Sequence, residues 1–275
     1  MTNVKFGLIG GGVMGEALLS RLLKQKVYQP SEILVSDPQQ QRRDFLAQEY
    51  GVEATTDNHL VVESTTEALL LAVKPQVFDL IVSELADWQV GGDKITASLV
   101  ISIMAGVPLS RLEVAFPRRP MVRVMPNTPA TVGVGISAIA PGKYVQPEHK
   151  ELATRILESV GQVVEVPESL MNAVTGVSGS GPGYVAILIE SLTDGGVCAG
   201  LPRAIAYQLA LQTVLGTAVL LEESGMHPAQ LKDRVTSPGG TTIAGIAELE
   251  SAGFRSALIE AVMAAAARSQ ELGNN

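Results

Sequence analysis

Apolar and polar positions along the chain change their period several times, and the first change is the most informative. Val4–Ile9 is almost continuously apolar, a glycine-rich stretch follows, and the leucines of 16–23 then recur at helical spacing. That order predicts strand, tight turn, helix. Short apolar runs follow at 33–36, 52–55, 68–73 and 99–102, separated by segments with helical character at 39–49, 58–63 and 76–85 and by a helix opened by Pro108. Strands alternating with helices, and apolar on both faces, predict a parallel sheet covered on both sides. Two further runs at 121–124 and 135–139 extend it, with the turn-rich 125–129 between them. A helix over 147–160 and a strand at 163–166 close the pattern.

Beyond Pro167 the period of two disappears. The stretches 182–199, 203–223, 228–235, 242–251 and 255–271 all predict helices, punctuated by Gly200, Pro202, Gly225 and Pro238. The expected architecture is α/β: a doubly wound, Rossmann-type domain over 1–165, then an all-helical domain over 166–275. Several of these helices carry no polar stripe, notably 184–189 and 261–267. A helix apolar all round must be buried on several sides, and roughly 110 residues of helix cannot enclose several of them alone. A second copy of the chain is the expected cover, so a homodimer is the expected minimal unit.

Composition narrows the function classes. The formal net charge is −8 and basic residues do not cluster, which argues against nucleic acid and anionic membrane as partners. One cysteine, Cys198, excludes an intrachain disulfide and suits a reducing compartment; it is expected to pack as a small apolar residue. His59, His149 and His227 show no ligand spacing, so no metal is expected. No stretch of about 18 residues is apolar without polar interruption, and the N-terminus lacks the form of a secretion signal. The expectation is a soluble, cytoplasmic protein.

The chemistry starts at Gly10, Gly11, Gly12, Val13, Met14 and Gly15, a G-x-G-x-x-G between strand and helix. Gly10 suits the turn, Gly12 close approach to a pyrophosphate, and Gly15 close packing of helix on strand. The helix start would receive the phosphates. The turn alone admits FAD or another nucleotide as well. Ligands in such sheets bind beyond the carboxyl ends of the strands, where Ser36-Asp37, Ala72-Val73-Lys74-Pro75, 102–106 and 125–129 lie. Lys74 is either a cofactor-facing or a surface lysine. Asp37 suits ribose hydroxyls, while Arg42 and Arg43 suit a 2′-phosphate, and the pattern does not choose between them.

The helical half has two glycine-rich punctuations, 178–184 and 236–242, each leading into a helix. Together, such starts would offer N–H groups and hydroxyls to a small carboxylate. No lysine occurs between Lys150 and Lys232, and no proton relay for carbonyl chemistry is evident. A protonated C=N substrate removes that need, because an iminium accepts hydride directly.

Ile9 to Gly15, Ala72 to Pro75, Met125 to Pro129, Ser178 to Pro182 and Thr236 to Thr242 together resemble the pyrroline-5-carboxylate reductase family, over essentially the whole chain. The resemblance implies reduction of 1-pyrroline-5-carboxylate to L-proline by NADPH, with NADH as the alternative. It implies dinucleotide contacts from Gly10 to Gly15, Ser36, Asn58, Ala72, Val73, Lys74 and Pro75, with Met104 and Ala105 near the nicotinamide. Ser178, Gly240, Thr241 and Thr242 would bind the substrate, with Thr242 in the catalytic role, and an interlocked dimer could assemble into larger rings. Asp37 stands where NADP-preferring members often carry a basic or neutral residue, so Asp37→Ser is expected to shift preference toward NADPH. Arg234 stands where some members have a neutral amide. A two-domain hydroxyacid dehydrogenase of the kind related to 3-hydroxyisobutyrate dehydrogenase would need a lysine on the helix after the domain boundary, where this chain has none. A non-catalytic dinucleotide sensor would not need the threonine-rich turn.

Overall fold

The computed structural model describes residues 3–89 and 97–274. Eight strands form one sheet in the order β3-β2-β1-β4-β5-β6-β7-β8. They are β1 (Val4–Ile9), β2 (Ile33–Ser36), β3 (Glu53–Thr55), β4 (Thr65–Leu71), β5 (Leu99–Ser102), β6 (Met121–Met125), β7 (Gly135–Pro141) and β8 (Gly161–Glu165). The helices between them are α1 (Val13–Lys24), α2 (Gln40–Tyr50), α3 (Asn58–Ser64), α4 (Phe78–Gln89), α5 (Leu109–Ala115) and α6 (Pro147–Glu158).

Two apolar layers hold this sheet. Phe6, Leu8, Val35, Leu70 and Ile101 pack with Leu18, Leu19 and Leu22 of α1, Leu46 of α2, and Ile156 and Leu157 of α6. Ile9, Leu69, Leu71 and Val100 pack with residues of α3, α4 and α5, including Val61, Phe78 and Leu112. Successive strand residues point to opposite faces, so strands that are apolar throughout serve both layers, as the pattern required. Truncating one such leucine to alanine costs about 2–5 kcal/mol.

Two details differ from the expected sheet. β7 runs antiparallel to β6 and parallel to β8. The link over 126–134, with a 3₁₀ turn at Thr128–Val132, is too short for a parallel crossover of a dozen or more residues, so the chain reverses. β4 spans 65–71 rather than 68–73. The Ala72 N–H still bonds the Ile9 carbonyl at 2.8 Å, after which 72–75 leaves the sheet as a loop.

After β8 come α7 (Met171–Val174), a π-helical turn at Thr175–Gly179, α8 (Gly181–Cys198), α9 (Arg203–Ser224), α10 (Pro228–Arg234), α11 (Thr241–Ser251) and α12 (Phe254–Asn274). The chain separates into two compact units, Met1–Gly179 with Ala264–Asn275, and Ser180–Met263. The division thus falls after residue 179, whereas the last strand ends at Glu165. The final turns of α12 group with the sheet.

In the second unit the apolar helices lie open. Ile187 is 63% exposed, Leu209 53%, Ile259 64% and Met263 66%. α9 is long and apolar enough to cross a membrane by length and composition, with 11% of that window buried. The stretch is not apolar throughout, as expected, but its interruptions, such as Gln208, Gln212 and Thr213, are uncharged. Cys198, expected to be packed away, is exposed in the single chain.

Candidate active site

The glycine turn is shaped by what surrounds it. Gly10 has φ +99°, its N–H donates to the Ser36 carbonyl at 2.9 Å, and a Cβ there would lie 2.7 Å from the Ala72 carbonyl oxygen. At Gly15 a Cβ would come within 2.2 Å of the Gly10 carbonyl oxygen. Both positions are therefore closed to any side chain. Gly12 is the opposite case, since nothing lies within 4 Å of where its Cβ would be. It caps α1 with no side-chain hydrogen bond to the first turn, so among the described residues no protein group takes the opening N–H groups of that helix. Open space beside free donors at the positive end of a helix is what a pyrophosphate requires.

The carboxylate of Asp37, 9% exposed, accepts from the Gly11 N–H at 3.0 Å and the Gln39 N–H at 2.9 Å. Each oxygen thus accepts one backbone N–H, which fixes the carboxylate beside the turn, and each keeps a further lone pair. Arg42 donates to the Gly11 carbonyl and pairs with Glu16, while Tyr50 donates to the other Glu16 oxygen at 2.8 Å. Arg43 donates to the Asp37 carbonyl at 2.8 Å. Burial pushes the Glu16 carboxyl up, but hydrogen bonds from Arg42 and Tyr50 and the Arg42 charge outweigh it and hold it below its ordinary value. Burial, then the bond to Glu16, pushes the Tyr50 phenol up to about 12. Sequence reasoning passed over Glu16 and Tyr50. The available signal was the acid itself, because a carboxylate in the first turn after G-x-G-x-x-G would repel a phosphate unless a cation held it.

The strand ends bring most of the expected dinucleotide residues together. Ser36, 1% exposed, donates its hydroxyl to Asn58 Oδ1 at 2.6 Å, and Asn58 Nδ2 donates to Glu84 at 2.9 Å. Ala72 and Val73 border Gly10, and Pro75 opens a 3₁₀ turn after Lys74. Lys74 is exposed, and among the described residues no carboxylate pairs with it. The Met104 side chain is 2% exposed and packs in the core, leaving its backbone and exposed Ala105 to face a ligand. Gly106, at φ +80°, meets the end of α12, where a Cβ on Gly273 would lie 2.5 Å from the Gly106 carbonyl oxygen.

The two glycine-rich punctuations of the helical half differ. Ser178 lies inside the π-helical turn and donates its hydroxyl to the Val174 carbonyl at 3.1 Å. The stretch then leads into α8, which starts at Gly181 with Ser180 as its N-cap and no side-chain cap bond, as expected. The second punctuation is likewise a helix start. Gly239 has φ +68°, the Gly240 N–H closes a turn onto the Ser237 carbonyl at 3.0 Å, and Gly240 caps α11 without a side-chain bond. Thr241 is exposed and Thr242 half-buried, and among the described residues no partner takes either hydroxyl. Arg234 is exposed at the end of α10. Among the described residues no cluster of three or more His, Cys, Asp or Glu side chains could hold a metal ion.

Residues 168–272 match the family described as pyrroline-5-carboxylate reductase dimerisation. Residues 5–106 match the family described as NADP oxidoreductase, coenzyme F420-dependent. A pyrroline-5-carboxylate reductase from Synechocystis sp. is 59% identical, with 98% of this chain and 99% of that one aligned. Among solved structures, a pyrroline-5-carboxylate reductase from Coxiella burnetii superposes with a TM-score of 0.88 at 34% identity, covering 98% of this chain and 99% of the other. The Plasmodium falciparum pyrroline carboxylate reductase with NADP bound gives 0.86 at 31% identity, covering 99% of each.

Proposed function

The chain belongs to the pyrroline-5-carboxylate reductase family, and on that premise we infer that it reduces 1-pyrroline-5-carboxylate to L-proline with NADPH, or NADH in its place, the last step of proline synthesis. The observation that carries this reading is the 59% identity to the Synechocystis enzyme along essentially the full length of both chains. The residues present fit a dinucleotide, since the space beside Gly12 is open and no described residue takes the opening donors of α1.

When bound, the dinucleotide supplies the hydride that reduces the C=N bond. The protein's part is binding and orientation. Gly10 to Gly15 receive the phosphates. Ser36 and Asn58, bonded to each other, border the ribose, and Ala72 to Pro75 with the backbone of Met104 and Ala105 line the remainder. Gly240, Thr241 and Thr242 hold the substrate carboxylate, with Ser178 assigned to substrate on the resemblance alone. Thr242 takes the catalytic role by fixing the ring at its carboxylate. No side-chain acid is needed, because the iminium already carries its proton.

By this reading the division of labour is dinucleotide binding over 1–165, and substrate binding and dimerisation over 166–275. The open apolar faces of α8, α9 and α12 cover one another in a homodimer, from which a larger ring can assemble. α9 accordingly meets protein and not lipid, and the enzyme works in the cytoplasm without membrane or nucleic-acid partners.

The direct test is loss of NADPH and NADH absorbance with pyrroline-5-carboxylate as substrate; no turnover with either dinucleotide would end the reading. A finer test is Thr242→Val, which keeps the shape and removes one donor. A hydrogen bond to a charged group is worth about 1.5–3 kcal/mol, so kcat/KM for pyrroline-5-carboxylate should fall on the order of ten- to a hundredfold. Dinucleotide affinity should hold. The converse pattern would assign the threonine to the wrong ligand.

A further inference from the structure

Three consecutive glycines, Gly10 to Gly12, form the turn on which the phosphates are proposed to rest. Such a run has no side chains to limit its backbone, and glycine has the most conformational freedom to lose. A turn this loose binds poorly unless something holds it ready. We propose that Asp37 and Arg42 are positioning residues that grip the Gly11 backbone at its N–H and at its carbonyl, and that Arg42 therefore serves NADPH and NADH alike instead of reading the 2′-phosphate.

The bonds run in a closed chain. The Gly11 N–H donates to Asp37 Oδ2 at 3.0 Å, and the Gly11 carbonyl accepts from Arg42 Nε. A second nitrogen of the same guanidinium is held by Glu16, on the first turn of α1. Glu16 is fixed in turn by Tyr50, and the guanidinium lies 5.0 Å from the centre of the Phe45 ring. Leu46 closes the remaining side, where a Cβ on Gly11 would lie 2.5 Å from its Cδ1. Gly11 is thus tied through its N–H to the loop after β2 and through its carbonyl to α2, and α2 to α1 through Glu16.

An arginine that reads a 2′-phosphate needs its charge and an edge of its fork free. Arg42 has Glu16 against its charge, and Nε and one terminal nitrogen committed to protein. Arg43 is likewise bonded to the Asp37 carbonyl and to Gln40. The carboxylate of Asp37 faces the turn and is bonded there, so it repels a 2′-phosphate less than its place in the sequence suggests.

The inference rests on the dinucleotide reading above, and the two fail differently. Failure of the wild-type enzyme to oxidise either dinucleotide ends the reading, whereas this inference is decided by ratios within an active enzyme. Arg42→Ala should raise KM for NADPH and for NADH by the same factor, on the order of ten- to a hundredfold for one lost charge-assisted anchor, with kcat little changed. Arg42→Lys, which keeps a charge but loses the fork, should recover part of the loss for both. Inhibition by 2′,5′-ADP and by 5′-AMP should weaken in parallel. If Arg42→Ala fails to fold, Glu16→Gln decides: it keeps the shape and releases Arg42 from its counter-charge. An unchanged NADPH to NADH ratio supports the grip. A rise in NADPH preference in Glu16→Gln, a selective loss of NADPH in Arg42→Ala, or no change in either KM in Arg42→Ala overturns it.

Discussion

Gly12→Val is expected to fold and dimerise as the parent does, yet to bind NADPH and NADH on the order of a hundredfold more weakly, the scale of loss that misplacing a bound group by about 1 Å produces. The reason is the empty volume beside this one glycine. No atom lies within 4 Å of its would-be Cβ, and its φ of −67° with ψ of −171° suits a valine. The protein alone has no objection to the side chain; the phosphates do. Thermal melting without ligand should match the parent, and ligand-induced stabilisation should vanish, since binding to the native state is what raises the melting point. A variant that melts early but still binds would mean that this glycine serves the fold. Gly15, whose Cβ would meet the Gly10 carbonyl oxygen at 2.2 Å, is the natural contrast.

Leu209→Asp should abolish the dimer and, with it, all activity. Leu209 is 53% exposed in the single chain, on a helix whose apolar residues point in every direction. An obligate interface of this kind buries about 2,000–5,000 Å², and an uncompensated charge placed inside it costs several kcal/mol, a large share of the 5–15 kcal/mol that holds a typical domain folded. Light scattering and sedimentation check the outcome: the parent should be a dimer or larger at micromolar concentration without detergent, the variant monomeric or aggregated. A folded, active Leu209→Asp monomer would show that α9 is not at the interface.

Much of this was legible in the chain before any coordinates. The sheet domain declared itself because Leu69, Leu70 and Leu71 feed both layers and must be apolar without alternation. Gly10 and Gly15 declared themselves because only glycine satisfies their geometry. The open helices were legible for a related reason: a period that never becomes amphipathic cannot end at water. What escaped was set by tertiary contact. The π-helical turn at Thr175–Gly179 before α8 left no local mark, because glycine and serine suit many backbone forms and the Ser178 bond to the Val174 carbonyl appears only in the fold. The direction of β7 depends on the length of a link, not on apolar period. Asp37 suited a ribose by its place just past β2, and its bond to the Gly11 N–H is visible only when β1 and β2 lie side by side.

That adjacency has a consequence for how the chain comes into being. β1 precedes β2 and β4 in the chain and lies in the interior of the sheet, with β2 on one side and β4 on the other. A ribosome adds about 5–20 residues per second, so several seconds separate the emergence of Val4–Ile9 from that of Thr65–Leu71. During that interval an apolar strand has one of its two edges unpaired, and the turn at Gly10 lacks the Ala72 carbonyl that closes over it. Stalled nascent chains in which residue 72 is still inside the ribosome should leave β1 open to protease, and those in which it has emerged should protect it. The nucleotide turn leaves the ribosome before β4 and must wait for that strand before it can take its final shape.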